Sequence, residues 1–197
     1  MAISIDDLTQ KFKQQSISSS TSAFSMQLLI DNLPDINSYT KYENQDFSQR
    51  CFDGIKLKRY SFRNVSFEGS HFRNVIFEDC LMDLVNFRGS NFQNISFVNC
   101  FLENLDLSYG ILNNIKFSNT CLFSTSFSDN NESSRAILSN ISFNDSYLED
   151  VNFKFVEFRD SHFNKVNMKD CSFENTTLWS VEFDGDEIIY CVISKRL

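Results

Sequence analysis

Residues 65–99 read VSFEGSHFRNVIFEDCLMDLVNFRGSNFQNISFVN, and a large apolar side chain returns in that stretch at every fifth position: Phe67, Phe72, Phe77, Met82, Phe87, Phe92, Phe97. The frame runs backwards through Phe62 and Leu57 to Phe52. It runs forwards through Leu102, Leu107, Leu112, Phe117 and Leu122 to Phe127, making sixteen consecutive members. The next member, Leu138, lies eleven residues on. From there the frame resumes through Phe143, Leu148, Phe153, Phe158, Phe163, Met168, Phe173, Leu178 and Phe183 to Ile188, eleven members in all. In a chain that is 42% hydrophobic, an unbroken set of apolar residues at every frame position is not a chance arrangement.

A period of five is neither the 3.6 of an α-helix nor the 2 of an ordinary strand. A helix would advance about 500° in five residues and scatter these side chains around its circumference. A short strand and a corner every five residues satisfies the pattern, with one large side chain turned inward each time. The position two before the centre agrees, reading Val65, Ser70, Val75, Cys80, Val85, Ser90, Ile95 and Cys100, and later Val151, Val156, Ser161, Val166 and Cys171. These are small or β-branched residues, fit for a second inward position in a narrow tube. Large and small nearly alternate in the first run, which superimposes a period of ten. The position two after the centre holds Asn64, Gly69, Asn74, Asp79, Gly89, Asn94, Asn99 and Asn104. These residues tolerate a corner or bond their own backbone.

Units such as VSFEG, SHFRN, VIFED, VNFRG, SNFQN, ISFVN, VEFRD and CSFEN resemble the pentapeptide-repeat family over about residues 50–190. The resemblance implies an all-β fold, a right-handed quadrilateral β-helix with four units and 20 residues per coil. Residues 20 apart would then stack about 4.8 Å from one another. Arg63 would meet Asp83, Glu68 Arg88, Glu149 Lys169 and Lys154 Glu174, all pairs of opposite sign. Asn74, Asn94 and Asn114 would form an amide ladder. Under seven coils predict a rod of roughly 32 Å.

The organisation expected is an N-terminal cap or mobile segment over 1–48, a β-helix over 49–190 and a tail over 191–197. Within the β-helix, arrays 50–128 and 136–190 flank a slip at 128–135. Either two units plus one residue, or one unit plus a six-residue loop, accounts for the slip. Ser16–Ser25 is Ser-rich. Ala23–Leu33 (AFSMQLLIDNL) reads as a short amphipathic helix stopped by Pro34. That segment suits a cap on the open end of a solenoid. Its composition also resembles the export signals of type III secreted effectors. The last residues, IIYCVISKRL, suit closure of the C-terminal end or pairing with a second copy.

The chain of 197 residues carries a net charge of -8, against a protein held to nucleic acid by its own basic surface. No run approaches the ~18 apolar residues of a spanning helix, so no membrane association is expected. MAISIDDLTQKFK lacks an apolar signal-peptide core. His71 and His162 repeat one Ser-His-Phe context and form no metal or nucleophile–base motif. The six cysteines make no CxxC; Cys80, Cys100 and Cys171 fall on the small inward position, where Cys acts as a compact hydrophobe. Cys80 and Cys100 lie one coil apart, and reduced thiols are expected. Neither catalysis, a metal nor a cofactor is predicted. Trp179 follows a central residue and is expected outward, as are Phe123 and Phe155; an exposed Trp can anchor a partner.

Charge is uneven. Residues 51–128 hold seven acids and seven bases, whereas 129–187 hold thirteen acids and five bases. The candidate binding residues are therefore Asp145, Glu149, Asp150, Asp160, Asp170, Glu174 and Trp179, with Asp129, Asn130, Asn131, Glu132 and Arg135 in the loop. The family resemblance implies quinolone-resistance and microcin-immunity rods, acidic dimers that occupy the DNA-binding saddle of DNA gyrase. The expected function is thus a non-catalytic, cytoplasmic protein that mimics duplex DNA and protects a type II topoisomerase, with a homodimer as an option. The alternative is an effector secreted into a host cell, with the rod as an interaction scaffold.

Overall fold

The corners decide the architecture. From Asn44 to Ser124, and again from Asn140 to Tyr190, every fifth residue has a positive φ, between 44° and 66°. Each such left-handed residue turns the chain, and four turns bring it back above its start. Asn and Asp hold most of these positions and Gly54, Gly69, Gly89 and Gly185 four more, because these residues enter that region at least cost.

The computed structural model describes residues 35–128, 131, 136–185 and 187–192. After a 3₁₀ turn at Ile36–Ser38 the strands are β1 (Thr40–Glu43), β2 (Cys51–Asp53), β3 (Lys56–Lys58), β4 (Tyr60–Arg63), β5 (His71–Glu78), β6 (Leu81–Asp83), β7 (Asn91–Val98), β8 (Phe101–Glu103), β9 (Ile111–Ser118), β10 (Cys121–Phe123), β11 (Ile137–Asn144), β12 (Tyr147–Glu149), β13 (Glu157–Asn164), β14 (Asn167–Lys169), β15 (Thr177–Asp184) and β16 (Glu187–Ile189). All pair in parallel, giving the expected quadrilateral β-helix, a solenoid of about seven turns. The long strands β5, β7, β9, β11, β13 and β15 each bend at a mid-strand corner, such as Asn74 in β5, and so build two walls. The short strands from β1 and β4 to β16 build the third. The fourth is a column of single bridges, Asp46–Ser66–Asn86–Asp106–Ser126–Asn152–Ser172–Val192. Eight strands on the third wall span about 34 Å at ~4.8 Å per step.

The frame residues fill the tube. Phe77, Phe87, Leu102, Leu122, Phe143 and Phe158 are wholly buried. Rings stack on their equivalents one coil away, with centroids 4.9 Å apart for Phe77–Phe97 and 5.0 Å for Phe97–Phe117, and meet neighbouring walls edge-to-face, as in Phe87–Phe92 at 5.2 Å. Both geometries favour the aromatic quadrupole. The period of ten also has a cause. The small inward residue of the first and third walls, where it is Ser, Thr or Cys, donates to a main-chain carbonyl of the preceding coil. Ser90 Oγ reaches Phe67 O at 2.8 Å, Cys100 Sγ reaches Phe77 O at 3.3 Å, and Thr176 Oγ1 reaches Phe153 O at 2.6 Å. All six cysteines are free thiols.

Two expectations are refined. Across the slip, Ile111 pairs with Ile137 and Cys121 with Tyr147, an offset of 26 where every other coil has 20. The step from Phe127 to Leu138 is therefore one unit plus six inserted residues, in a coil of 26. The β-helix also begins before residue 49. Tyr42 and Phe47 continue the frame, stacking on Phe62 at 5.7 Å and on Phe67 at 5.5 Å, and β1 pairs with β4. The helix expected at Ala23–Leu33 lies outside the described residues.

Candidate functional site

Stacking by 20 residues sets most of the surface pairs. Arg63 Nε lies 3.8 Å from Asp83, Lys169 Nζ 2.6 Å from Glu149 and Lys154 Nζ 3.0 Å from Glu174. Asn94 donates to Asn74 at 2.9 Å and Asn114 to Asn94 at 2.8 Å. The fourth expected pair does not form. Glu68 takes the Asn86 amide at 3.3 Å, while Arg88 turns forward to Asp106 at 3.9 Å and Ser108 at 3.2 Å and lies 4.1 Å over the Tyr109 ring. A guanidinium gains more from an aromatic face and two acceptors than from one exposed carboxylate.

The acids of the second array are distributed around the rod. Asp145, Asp150, Asp160 and Asp170 all occupy left-handed corners, with φ between 48° and 56°. Asp150 and Asp170 share the corner column between the third and fourth walls, one coil apart. Asp145 lies on the corner between the second and third walls, and Asp160 on that between the first and second. Glu149 and Glu174 sit on the third and fourth walls, tied to Lys169 and Lys154. Asp145, Asp150 and Asp160 have no cation within 4 Å among the described residues, and Asp150 accepts a hydrogen bond from Ser124 at 3.1 Å. The structure thus brings Asp150 and Asp170 together and leaves the other acids on separate edges. Of the loop, Asn131 is exposed; Asp129, Asn130, Glu132 and Arg135 lie outside the described residues.

Trp179 is 61% exposed, stacked in register beyond Arg159 on the first wall. It belongs to the last coil, where Leu178, Phe183 and Ile188 turn inward but are exposed because no described coil covers them. Phe123 departs from expectation: it points outward yet is buried. Phe155 is a corner residue with φ 55°, half-buried.

The chain is built of five-residue units with a left-handed corner in each, and residues 86–122 match the family described as pentapeptide repeats, in eight copies. Over those residues the chain carries pentapeptide repeats. No curated protein matches the sequence. Similar solved structures include a trypsin-treated form of QnrB1, a plasmid-mediated fluoroquinolone resistance protein. It is 15% identical over 74% of this chain and 92% of that one, with a TM-score of 0.47. A second trypsin-treated QnrB1 form is 16% identical over 78% and 79%, with a TM-score of 0.45. HetL, from the cyanobacterium Nostoc sp. strain PCC 7120 and involved in heterocyst differentiation regulation, is 11% identical over 77% and 84%, with a TM-score of 0.28.

The remaining chemistry is sparse. His71 projects from the first wall near the start of the rod, and His162 from the second wall four coils later, 3.3 Å from Glu182. Burial pushes the Cys100 and Cys121 thiols up, away from the thiolate a nucleophile needs. Among the described residues no helix is long and apolar enough to cross a membrane.

Proposed function

We propose that this protein is a non-catalytic binding protein whose acidic second array docks in a basic, DNA-binding groove of a protein partner. The partner implied by the family resemblance is a type II topoisomerase, DNA gyrase. The observation that carries the reading is the change in surface charge along one continuous rod, from seven acids and seven bases over residues 51–128 to thirteen and five over 129–187. Aspartates at corner positions hold that charge on fixed edges about 4.8 Å apart per coil, a stiff polyanion that a groove shaped for phosphates attracts. The mechanism is competition with duplex DNA, in a reducing cytoplasm that suits six free thiols.

The test is a gyrase supercoiling assay with and without a quinolone, titrating in the full chain. Inhibition, or rescue from the drug, that weakens with Asp150→Lys and Asp170→Lys together supports the reading. No effect at on the order of tens of micromolar overturns it. A second reading, an interaction scaffold delivered as an effector or paired with a second copy, is favoured by exposed Trp179 on a last coil that no described coil covers. A partner lost on Trp179→Ala but kept by the Asp150/Asp170 variant selects that reading.

A further inference from the structure

Two pairs of cysteines stack one coil apart inside the tube, and the rod treats them differently. Cys80 and Cys100 share the small inward position of the third wall, and Cys171 and Cys191 share that of the fourth. At the second pair the ladder is in register, because Val192 N donates to Cys171 O at 2.9 Å beside the Ser172–Val192 bridge. Rungs ~4.8 Å apart place the two Cα atoms within the range of about 4.4–6.8 Å that a disulfide spans. The thiols of each pair lie within hydrogen-bonding reach of one another. What separates the pairs is access. Cys80 and Cys100 are wholly buried, with coils on both sides. Cys171 is buried as well, its Sγ 3.6 Å from Leu148 O and 3.4 Å from Lys169 O. Cys191 stands half-buried on the last described rung of its wall, packed on the core and flanked by exposed Tyr190 and Val192. The hydrogen bond from Cys171 holds the Cys191 thiol down, from its ordinary 9.0 to about 7, against burial and the Asp170 carboxylate. The same bond, with burial, holds Cys171 well above the usual thiol range. Cys191 is thus an accessible sulfur with thiolate character, and a protonated thiol sits directly beneath it.

We propose that Cys191 and Cys171 form an oxidation site for hydroperoxides, closing to a disulfide across the last two rungs of the fourth wall. The Cys191 thiolate attacks the terminal oxygen of ROOH. The O–O bond breaks, the alkoxide leaves as ROH with a proton from solvent, and Cys191 becomes a sulfenic acid. The Cys171 sulfur then attacks the Cys191 sulfur. The S–S bond forms as the S–O bond breaks, and the Cys171 proton leaves with the hydroxide as water. Two electrons pass from the two thiols to the peroxide, and the products are one disulfide, one ROH and one water. The bond ties the last rung to the coil beneath it and closes a loop that resists fraying of the rod end. Cys80 and Cys100 have the same stacking but no open end, and stay reduced.

The segment from Asp170 to Lys195 holds no internal Lys or Arg, so trypsin releases both cysteines in one peptide. The reduced full chain is treated with hydrogen peroxide, quenched with iodoacetamide in denaturant and mapped by mass spectrometry. That peptide is expected unalkylated and lighter by two hydrogens, formed at least about tenfold faster than exposed Cys51 is oxidised, with Cys80 and Cys100 still alkylated. In Cys171→Ser, the Cys191 sulfenic acid accumulates and is captured by dimedone; in Cys191→Ser, Cys171 stays reduced. Ser70, Ser90 and Ser161 already fill inward positions of this kind, so both variants suit the coil. The proposal is overturned if Cys171 and Cys191 are both alkylated once Cys51 is oxidised. It is overturned equally if Cys80 and Cys100 close at the same rate, or if the linkage joins two chains, read as a dimer on a non-reducing gel. A Cys171→Ser chain whose Cys100 is slow to alkylate without denaturant, yet which traps no dimedone at Cys191, also overturns it.

Discussion

The two arrays share a core and differ in their surface. The Phe column on the second wall passes through the insertion without interruption: Phe97–Phe117 at 5.0 Å, Phe117–Phe143 at 4.6 Å, Phe143–Phe163 at 4.9 Å and Phe163–Phe183 at 4.8 Å. Outside, the first array fills most of its corners with Asn and Gly and balances its charges, and the second places Asp145, Asp150, Asp160 and Asp170 at corners. The difference teaches that the inward frame and the corner position are independent. Any residue that tolerates a left-handed turn serves the fold, so the corners are where the surface can change at little cost to the core.

The largest expected effect breaks the shared core. Phe143→Ala, buried between two stacked rings, should cost about 3–5 kcal/mol in a denaturant titration. Phe183→Ala, stacked on one side and open on the other, should cost less than half of that. Equal losses would mean that the last coil is covered and the halves less alike than described. Corner substitutions come next. Asn94→Leu removes two amide bonds at φ 59° and should cost about 1–2 kcal/mol. Leu84→Asn, at an exposed corner with φ 55°, should gain about 0.5–1 kcal/mol. A loss at Leu84 would show that its contacts outweigh its strain.

The smallest effects are in pH dependence. Hydrogen bonds from Lys56 and then Lys58 hold the Glu78 carboxyl down, from its ordinary 4.5 to about 2. The depressed group stabilises above its unfolded value, and that stability is lost as pH falls from about 4.5 to 2. In the second array a hydrogen bond to Glu149 raises Lys169 above its ordinary 10.5. This pair stabilises below the unfolded value and loses its effect as pH rises through the raised one. Thermal melts should therefore show Glu78→Gln flattening the acid limb and Lys169→Met the alkaline limb, each by a degree or so, as suits exposed pairs.

Much of this was legible in the residues. The five-residue return of Phe, Leu and Met gave the coil, and Asn and Gly two places later gave its corners. Tyr42 is not legible as a frame member because it is neither Phe, Leu nor Met, although its ring stacks on Phe62 like any other. The burial of Phe123 is not legible for a different reason: it flanks a central residue, a position that periodicity alone assigns to solvent. The acids were legible as outward, but how a quadrilateral sorts them onto separate edges depends on which corner each one turns.

The amide ladders have a sense. Asn114 donates to Asn94, Asn94 to Asn74, and Asn74 to Asp53 at 3.2 Å; Asn119 donates to Asn99 at 3.0 Å, and Asn99 to Asp79 at 3.2 Å. Each row ends towards the N-terminus on a carboxylate, which only accepts. One aspartate thus orients every amide behind it, because a single flipped side chain would set acceptor against acceptor. The rows are aligned dipoles with negative charge at the donor end, each bond polarising the next, and the first coil fixes the polarity of the edges that later coils extend.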